Sequence, residues 1–346
     1  MKATMKAMVV EKQGGPDVLK PLEVATPKPK PGEVLVRVGG CALNHLDVWV
    51  RSGLPGVKLP IILGCDVAGE VSERGEGVEH LCLGDRVMVD PGLSCGTCRE
   101  CLAGQENLCR HYHILGAGCD GGYAEYVAVP AINCFPIPDG MNFHQAASIP
   151  LVFLTAWHML LTRAQIKANE TVLVVGGGSG VGSAAIQIAK LFHCRVIATV
   201  GNDEKAKRAK ELGADEIIIH GKENIAERVK QLTAKAGVDV IFEHVGPAVF
   251  GDCLMSLATN GRLVTCGATT GPKVEVDIPR LFMKHQTIYG SIMGTRQEMF
   301  AFLPFFEKGL LKPVVDTVLP LAEARKAHEI LEARQQFGKV VLDPTM

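Results

Sequence analysis

The chain has 346 residues, too many for one ordinary hydrophobic core, so two domains of about 150 residues are expected. Its 36 Lys and Arg against 37 Asp and Glu leave no net charge to draw nucleic acid or an anionic bilayer over the whole surface. Twelve cysteines in so long a chain do not make a secreted disulfide scaffold, the opening MKATMKAMVV lacks a signal peptide's length and cleavage site, and no apolar run reaches about 18 residues. The expectation is a cytoplasmic protein with neither a nucleic-acid nor a membrane partner.

From the N-terminus the pattern is short strands broken by turns. Ala7–Val10 leads to the Gly14-Gly15-Pro16 turn, a Pro-rich stretch from Pro21 to Pro31, and a strand at Glu33–Val38. Ile61–Leu63, Val67–Val71, Arg86–Val89 and Ala124–Val129 continue the theme, so residues 1–150 read as a small β barrel or sandwich. Out of it projects a lobe at residues 91–113. There Cys95, Cys98, Cys101 and Cys109 give the spacing Cys-x2-Cys-x2-Cys-x7-Cys. Four thiolates so close in sequence can close a tetrahedral shell around one metal, best Zn2+. A closed all-sulfur shell is structural, because it leaves no position for chemistry. An iron–sulfur cluster and ordinary free cysteines are the alternatives.

The character changes near Met141. Asn142 with Gln145 three residues on reads as a helix cap before an apolar helix from Ala146 to Leu161, and Val172–Val175 reads as a strand buried in a parallel sheet. Strand and helix then alternate: helices at 181–191, 203–212, 224–233 and 247–257, strands at 195–200, 216–219, 238–243, 261–266 and 286–292. Six strands of this kind predict a doubly wound sheet over residues 151–292. Residues 293–346 read as two helices, Gln297–Lys308 and Leu321–Ala333, and a strand at Gly338–Leu342.

Between the first of these strands and its helix lies Gly176-Gly177-Gly178-Ser179-Gly180-Val181-Gly182. Glycines there permit a tight turn, backbone approach to a pyrophosphate and close packing of helix on sheet. The phosphates would meet the free N–H groups of the helix N-terminus. Gly177, Gly178, Ser179, Gly180, Val181 and Gly182 are therefore the expected cofactor contacts. The second strand ends Thr199-Val200-Gly201-Asn202 without the acid that binds the adenosine ribose of NAD. That leaves room for a 2'-phosphate, which Lys205 or Lys207 could meet, and favours NADP, with NAD possible.

Together these residues resemble the medium-chain dehydrogenase/reductase family, which contains the zinc alcohol dehydrogenases and the quinone oxidoreductases. The resemblance spans nearly the whole chain. It implies an α/β protein with a GroES-like β-rich catalytic domain completed by both chain ends, a Rossmann domain between them, and the four lobe cysteines as its structural zinc site. In the alcohol dehydrogenases a second, catalytic zinc takes its ligands from three positions, which here are matched by Asn44, Cys65 and Leu151. Leu cannot bind metal and Asn is a poor zinc ligand. An improvised set from Cys41, His45, Cys65, Asp66 and His158 stays open. Asn44-His45-Leu46-Asp47 and the glycine loop with Ser179 resemble instead the zinc-free quinone oxidoreductase branch.

The resemblance further implies that Thr155 and Gly267 lie near nicotinamide, and that Lys339 approaches the cofactor. Asn44, His45, Asp47 and Thr155 are the candidate catalytic residues. The expected activity is NADPH-dependent hydride transfer to a quinone, enone or related carbonyl compound, with one structural Zn2+ and no catalytic zinc. The alternatives are alcohol/aldehyde interconversion, with His45 as general base, and a catalytically inactive NADPH-binding protein. A homodimer or homotetramer paired through the edge strand at 286–292 is expected, since that strand would otherwise expose Thr287, Ile288, Tyr289 and Ile292.

Overall fold

The computed structural model describes residues 3–346, which divide into two compact units: the chain up to Leu151 together with Thr295 onward, and Val152–Gly294. In the first unit the strand Glu33–Ala42 is the organising element. Its apolar residues are buried, and it pairs antiparallel with Asp66–Arg74 on one side; on the other it pairs first with Tyr126–Pro130 and then with Lys339–Asp343. Two register shifts bend it, and at the second Gly69 comes so near the Arg37 carbonyl that a Cβ would lie 2.0 Å from that oxygen. The C-terminal strand thus enters the N-terminal sheet, with Leu342 opposite Cys41 and Val341 opposite Ala42.

Several elements here escape the sequence pattern. The Pro-rich stretch contains a strand, Leu19–Ala25, which pairs along one side with Thr4–Val10. As the edge of a three-stranded sheet it accepts Pro21, whose missing N–H no neighbour needs. A helix, His45–Ser52, follows directly from the organising strand, and a further strand, Val315–Pro320, pairs with Lys339–Asp343. The single helix expected over 146–161 is in fact three pieces: Phe143–Ala147, capped by Asn142, then Pro150–Trp157, then a widened π turn at His158–Arg163.

The second unit is a six-stranded, all-parallel sheet. Its order is Glu216–Ile219, Arg195–Val200, Thr171–Val174, Val238–Glu243, Leu257–Thr265, Thr287–Gly290. This is the doubly wound arrangement, whose strand order reverses beside Thr171–Val174. The glycine loop leaves from the carboxyl end of that strand. Among the described residues no helix is long and apolar enough to cross a membrane.

One buried polar chain in the first unit has a consequence for acid stability. The Tyr123 hydroxyl lies 3.2 Å from His328 Nε2, both residues being fully buried, and His328 Nδ1 has no partner. Burial, aided by the nearby Arg51 charge, lowers the His328 pKa from 6.5 to about 3. A base whose folded pKa is depressed gives stability that is complete above pH 6.5 and is lost as pH falls toward 3, because only the unfolded chain takes up the proton. His328→Gln should therefore lose less stability between pH 7 and pH 4, by about 3 kcal/mol in urea titrations, than the parent protein does. Equal losses in the two proteins would show that His328 is not the acid-sensitive group.

Candidate cofactor and catalytic site

The lobe cysteines come together as their spacing predicts. Cys98 and Cys101 Sγ are 3.4 Å apart, Cys95 and Cys109 3.6 Å, Cys95 and Cys101 3.9 Å, and all four sulfurs lie within 4.8 Å of one another. Tetrahedral Zn–S bonds of about 2.3 Å require sulfurs about 3.8 Å apart, so the set fits one Zn2+. The backbone favours thiolates as well. N–H groups of Thr97 and Cys98, with the Thr97 hydroxyl, draw the Cys95 pKa down to about 5, and the His111 N–H points at Cys109 Sγ from 3.3 Å. Gly96 and Gly104 turn the chain in the left-handed region, at φ +72° and +71°. Among the described residues these four form the one set of three or more His, Cys, Asp or Glu donors close enough to hold an ion.

In the second unit the glycine loop has the shape of a phosphate cradle. Gly176 adopts φ +66°, and a Cβ on Gly182 would lie 2.2 Å from the Gly176 carbonyl oxygen, so neither place admits a side chain. Ser179 caps the helix Gly180–Leu191: its Oγ accepts the Gly182 N–H at 2.9 Å and donates to the Gly176 carbonyl at 2.8 Å. The first-turn N–H groups of this helix have no carbonyl ahead of them and suit an anion. The residues fit a dinucleotide pyrophosphate, and Gly177, Gly178, Gly180 and Val181 belong to the same turn.

Sequence reading passed over the support beneath this loop. His244 Nε2 lies 3.2 Å from Ser179 Oγ; since that hydroxyl already donates to Gly176, the imidazole must be the donor. Desolvation lowers the His244 pKa to about 4, so the ring stays neutral. Its neighbour Glu243, fully buried, accepts N–H bonds from Val245 and Gly246 and the Thr265 hydroxyl at 2.7 Å. The available signal was two titratable residues closing an otherwise apolar strand, Val240-Ile241-Phe242-Glu243-His244.

The remaining predicted residues of this unit are placed as follows. Gly267 has to be glycine, because a Cβ would lie 2.6 Å from the His244 carbonyl oxygen. Thr155 is buried on the helix Pro150–Trp157, its hydroxyl 3.8 Å from Met293 Sδ. At the second strand's end, Asn202 caps the next helix by accepting the Lys205 N–H, and Asp203 pairs with Lys222 at 2.7 Å.

The candidate catalytic residues of the first unit form a buried polar cluster. Asn44 caps the helix His45–Ser52 with its backbone, whose N–H is accepted by Asp47 Oδ2 at 2.7 Å. The Asn44 side chain turns away from the helix. Its Nδ2 donates to Asp66 Oδ2 at 2.8 Å and lies 3.2 Å from Cys65 Sγ, while its Oδ1 accepts from Lys339 Nζ at 2.6 Å. Lys339 Nζ also meets Asp66 Oδ2 at 2.8 Å, and Asp66 Oδ1 accepts the Leu151 N–H at 2.8 Å. Asn44, Cys65 and Leu151 are thus neighbours, gathered around an Asp66–Lys339 ion pair that is 0% and 3% exposed.

Asp47 Oδ1 accepts the Gly64 N–H at 3.0 Å, so each of its oxygens takes a backbone N–H. The ring of His45 is set against Trp49, centroids 6.4 Å apart. Burial raises the Asp47 pKa to about 6 against the lowering effect of Asn44 N–H, Lys339 and Gly64 N–H. Burial likewise pushes the Cys41 and Cys65 thiols well up, so both remain protonated.

A doubly wound sheet with a glycine cradle, in one chain with a β-rich unit carrying a four-cysteine metal lobe, defines an NAD(P)-binding oxidoreductase. The comparisons agree: the zinc-binding dehydrogenase family matches residues 180–308 and the alcohol dehydrogenase GroES-like domain matches residues 30–139. The chain belongs to the medium-chain dehydrogenase/reductase family, in which it has relatives of both alcohol dehydrogenase and quinone oxidoreductase type. It is 36% identical to an alcohol dehydrogenase of Geobacillus stearothermophilus (98% of this chain, 99% of that one). It is 34% identical to a quinone oxidoreductase of Sus scrofa (98% and 97%). A crystal structure of an NAD-dependent alcohol dehydrogenase matches at TM-score 0.95 and 46% identity over 98% of this chain and 99% of the other.

Proposed function

We propose that this oxidoreductase transfers hydride from NADPH to a quinone, an enone or a related carbonyl compound, without a catalytic zinc. The observation that carries the reading is the composition of the first unit's cluster. Asn44, Cys65 and Leu151 meet around an amide, a carboxylate and an ammonium, and a set in which Leu151 offers no side-chain ligand and Asn44 only an amide is a poor zinc shell. In a conjugated acceptor the negative charge spreads through the π system, so hydrogen bonds suffice to stabilise it. The cofactor supplies the hydride; the protein holds the pyrophosphate at the glycine cradle and keeps water from the reacting carbons. Thr155 and Gly267 are assigned to the nicotinamide end, and Lys205 to the 2'-phosphate. NADP is preferred because Gly201 stands where an acid would repel that phosphate. The four lobe thiols, which need a reducing environment, support a cytoplasmic setting.

The alcohol dehydrogenase reading is favoured by one observation, the 46% identity to a structure of that name, and it would place His45 as general base. We also assign self-association to the second unit's edge strand, Thr287–Gly290. In the helix that precedes it in the chain, Ile278, Phe282 and Met283 are 58%, 63% and 67% exposed, an apolar surface suited to a second copy as dimer or tetramer.

The test is metal analysis of the purified chain joined to initial rates with enones, quinones, aldehydes and alcohols against NADPH and NADH. Expected are one zinc per chain and NADPH oxidation with enones or quinones at least about tenfold faster than with simple aldehydes, a difference of about 1.4 kcal/mol in barrier. Two zinc ions per chain, with alcohol oxidation abolished by a chelator while the fold is retained, would overturn the zinc-free reading. Stoichiometric NADPH binding without turnover on any acceptor would instead make the chain an inactive binding protein.

A further inference from the structure

The glycine loop of the second unit hangs between the two strands that flank its own. On one side Thr199, in the strand Arg195–Val200, accepts the Gly176 N–H on its hydroxyl at 3.0 Å and the Gly177 N–H on its carbonyl at 2.8 Å. On the other, His244 follows directly on the strand Val238–Glu243 and brings Nε2 to 3.2 Å from Ser179 Oγ. Within the loop the Ser179 N–H returns to the Gly176 carbonyl at 2.9 Å, and the Gly182 N–H goes to Ser179 Oγ. Among the described residues the N–H groups of Gly178, Gly180 and Val181 are then left without a protein acceptor. They are the donors free to meet an anion, and the attachments of the loop decide where they point.

Ser179 could cap its helix without the imidazole, as Asn202 and Asn224 cap theirs by accepting one N–H each. What His244 adds is a tie to a second strand. Its ring also fills the space under Gly176, where a Cβ would lie 3.0 Å from Nε2. The base of that tie is rigid: the His244 carbonyl accepts the Thr269 hydroxyl at 3.1 Å, and Glu243 accepts the Val245 and Gly246 N–H groups and, at 2.7 Å, the Thr265 hydroxyl. A ring fixed at its root can hold the loop in one shape before any ligand arrives, which lowers the ordering cost of binding.

We propose, on the basis of the cofactor reading above, that His244 is a positioning residue for the dinucleotide. Through Ser179 its ring N–H aims the Gly178, Gly180 and Val181 N–H groups at the pyrophosphate. The imidazole acts as a neutral donor and does not itself touch the phosphates.

The experiment compares His244→Leu, which removes the donor, with His244→Gln, which keeps an N–H donor. Kd for NADPH and NADH is read by fluorescence titration and Kd for ADP, which carries the pyrophosphate without nicotinamide, by displacement of the bound dinucleotide; circular dichroism checks the fold. His244→Leu should raise all three Kd values by a common factor of about five- to tenfold, the contribution of one hydrogen bond. His244→Gln should return them to within about twofold of the parent. On a Ser179→Ala background, where the acceptor is gone, His244→Leu should change no Kd by more than about twofold. Should His244→Leu fail to fold, His244→Phe keeps the ring and gives the same reading. A rise below about twofold overturns the proposal, as does a loss that His244→Gln leaves in place or one that persists in full on the Ser179→Ala background. Weaker NADPH and NADH binding with ADP unchanged overturns it too, by placing the ring at the nicotinamide end. A parent protein that binds neither NADPH nor NADH would instead overturn the cofactor reading, and the first titration shows that before any variant is made.

Discussion

Cys98→Ser is expected to release the lobe's metal and lower the thermal midpoint of the first unit by about 10 °C or more, with new protease cleavage within residues 91–113. The argument begins with what the lobe lacks. Its helix, Arg99–Leu102, buries none of its residues, and Leu102 and Leu108 are 76% and 57% exposed. A segment with so little apolar burial cannot offset the entropy of its own ordering, and metal–sulfur bonds must do so. Structural zinc is bound in small peptides with about 10–16 kcal/mol, an upper bound here because the lobe can open locally without unfolding its sheet. What ties the lobe back is Glu106, 3% exposed, which accepts the Arg296 N–H at 2.5 Å. Zinc content, calorimetry and limited proteolysis check the prediction. Nucleotide binding by the second unit should survive, since its glycine loop belongs to a separate compact unit with its own sheet. A variant that loses zinc yet keeps the parent's midpoint and protease pattern would show that the lobe folds without metal.

The parts of the molecule that were legible in sequence share a physical property: their determinants lie close together along the chain. The parallel strands, Val172–Val174 and Val240–Phe242 among them, are buried on both faces and so read as unbroken apolar runs. The glycine loop and the four cysteines each lie within fifteen residues. What was hidden depends on partners far apart. Lys339 is 295 residues from Asn44 and 273 from Asp66, and no local pattern shows that their side chains meet. Tyr123 and His328 are 205 apart. Leu19–Ala25 was hidden for another reason: an edge strand with exposed charges and a proline looks like a loop until its one neighbour is seen. The Asn44-His45-Leu46-Asp47 segment was legible as a site but not in its wiring. Asp47 accepts the backbone N–H groups of Asn44 and Gly64, and helix capping explains the first of these.

Asp66→Ala should be the most damaging single change in the first unit's cluster, costing about 3–5 kcal/mol of stability. Asp66 is fully buried and holds three donors at 2.8 Å: Lys339 Nζ, Asn44 Nδ2 and the Leu151 N–H. The Coulombic attraction of the pair does not set the magnitude, because burying two charges roughly offsets it. The cost comes from what truncation leaves behind: an ammonium without its counter-charge, an amide hydrogen and a backbone N–H, all unpaired in a dry interior. The Leu151 N–H adds a further part, since it belongs to the first turn of the helix Pro150–Trp157, where a carboxylate is favoured by the helix dipole. Asp66→Asn should cost less, because its amide oxygen still accepts one or two of the three bonds. If the unpaired ammonium dominates, Lys339→Met placed on the Asp66→Asn background should restore stability toward the parent. The coupling energy between the two changes, read from urea unfolding of the four proteins, should then exceed about 1 kcal/mol. Additivity within about 0.5 kcal/mol, or an Asp66→Ala cost below about 1 kcal/mol, would mean that Asp66 and Lys339 do not depend on one another for their burial.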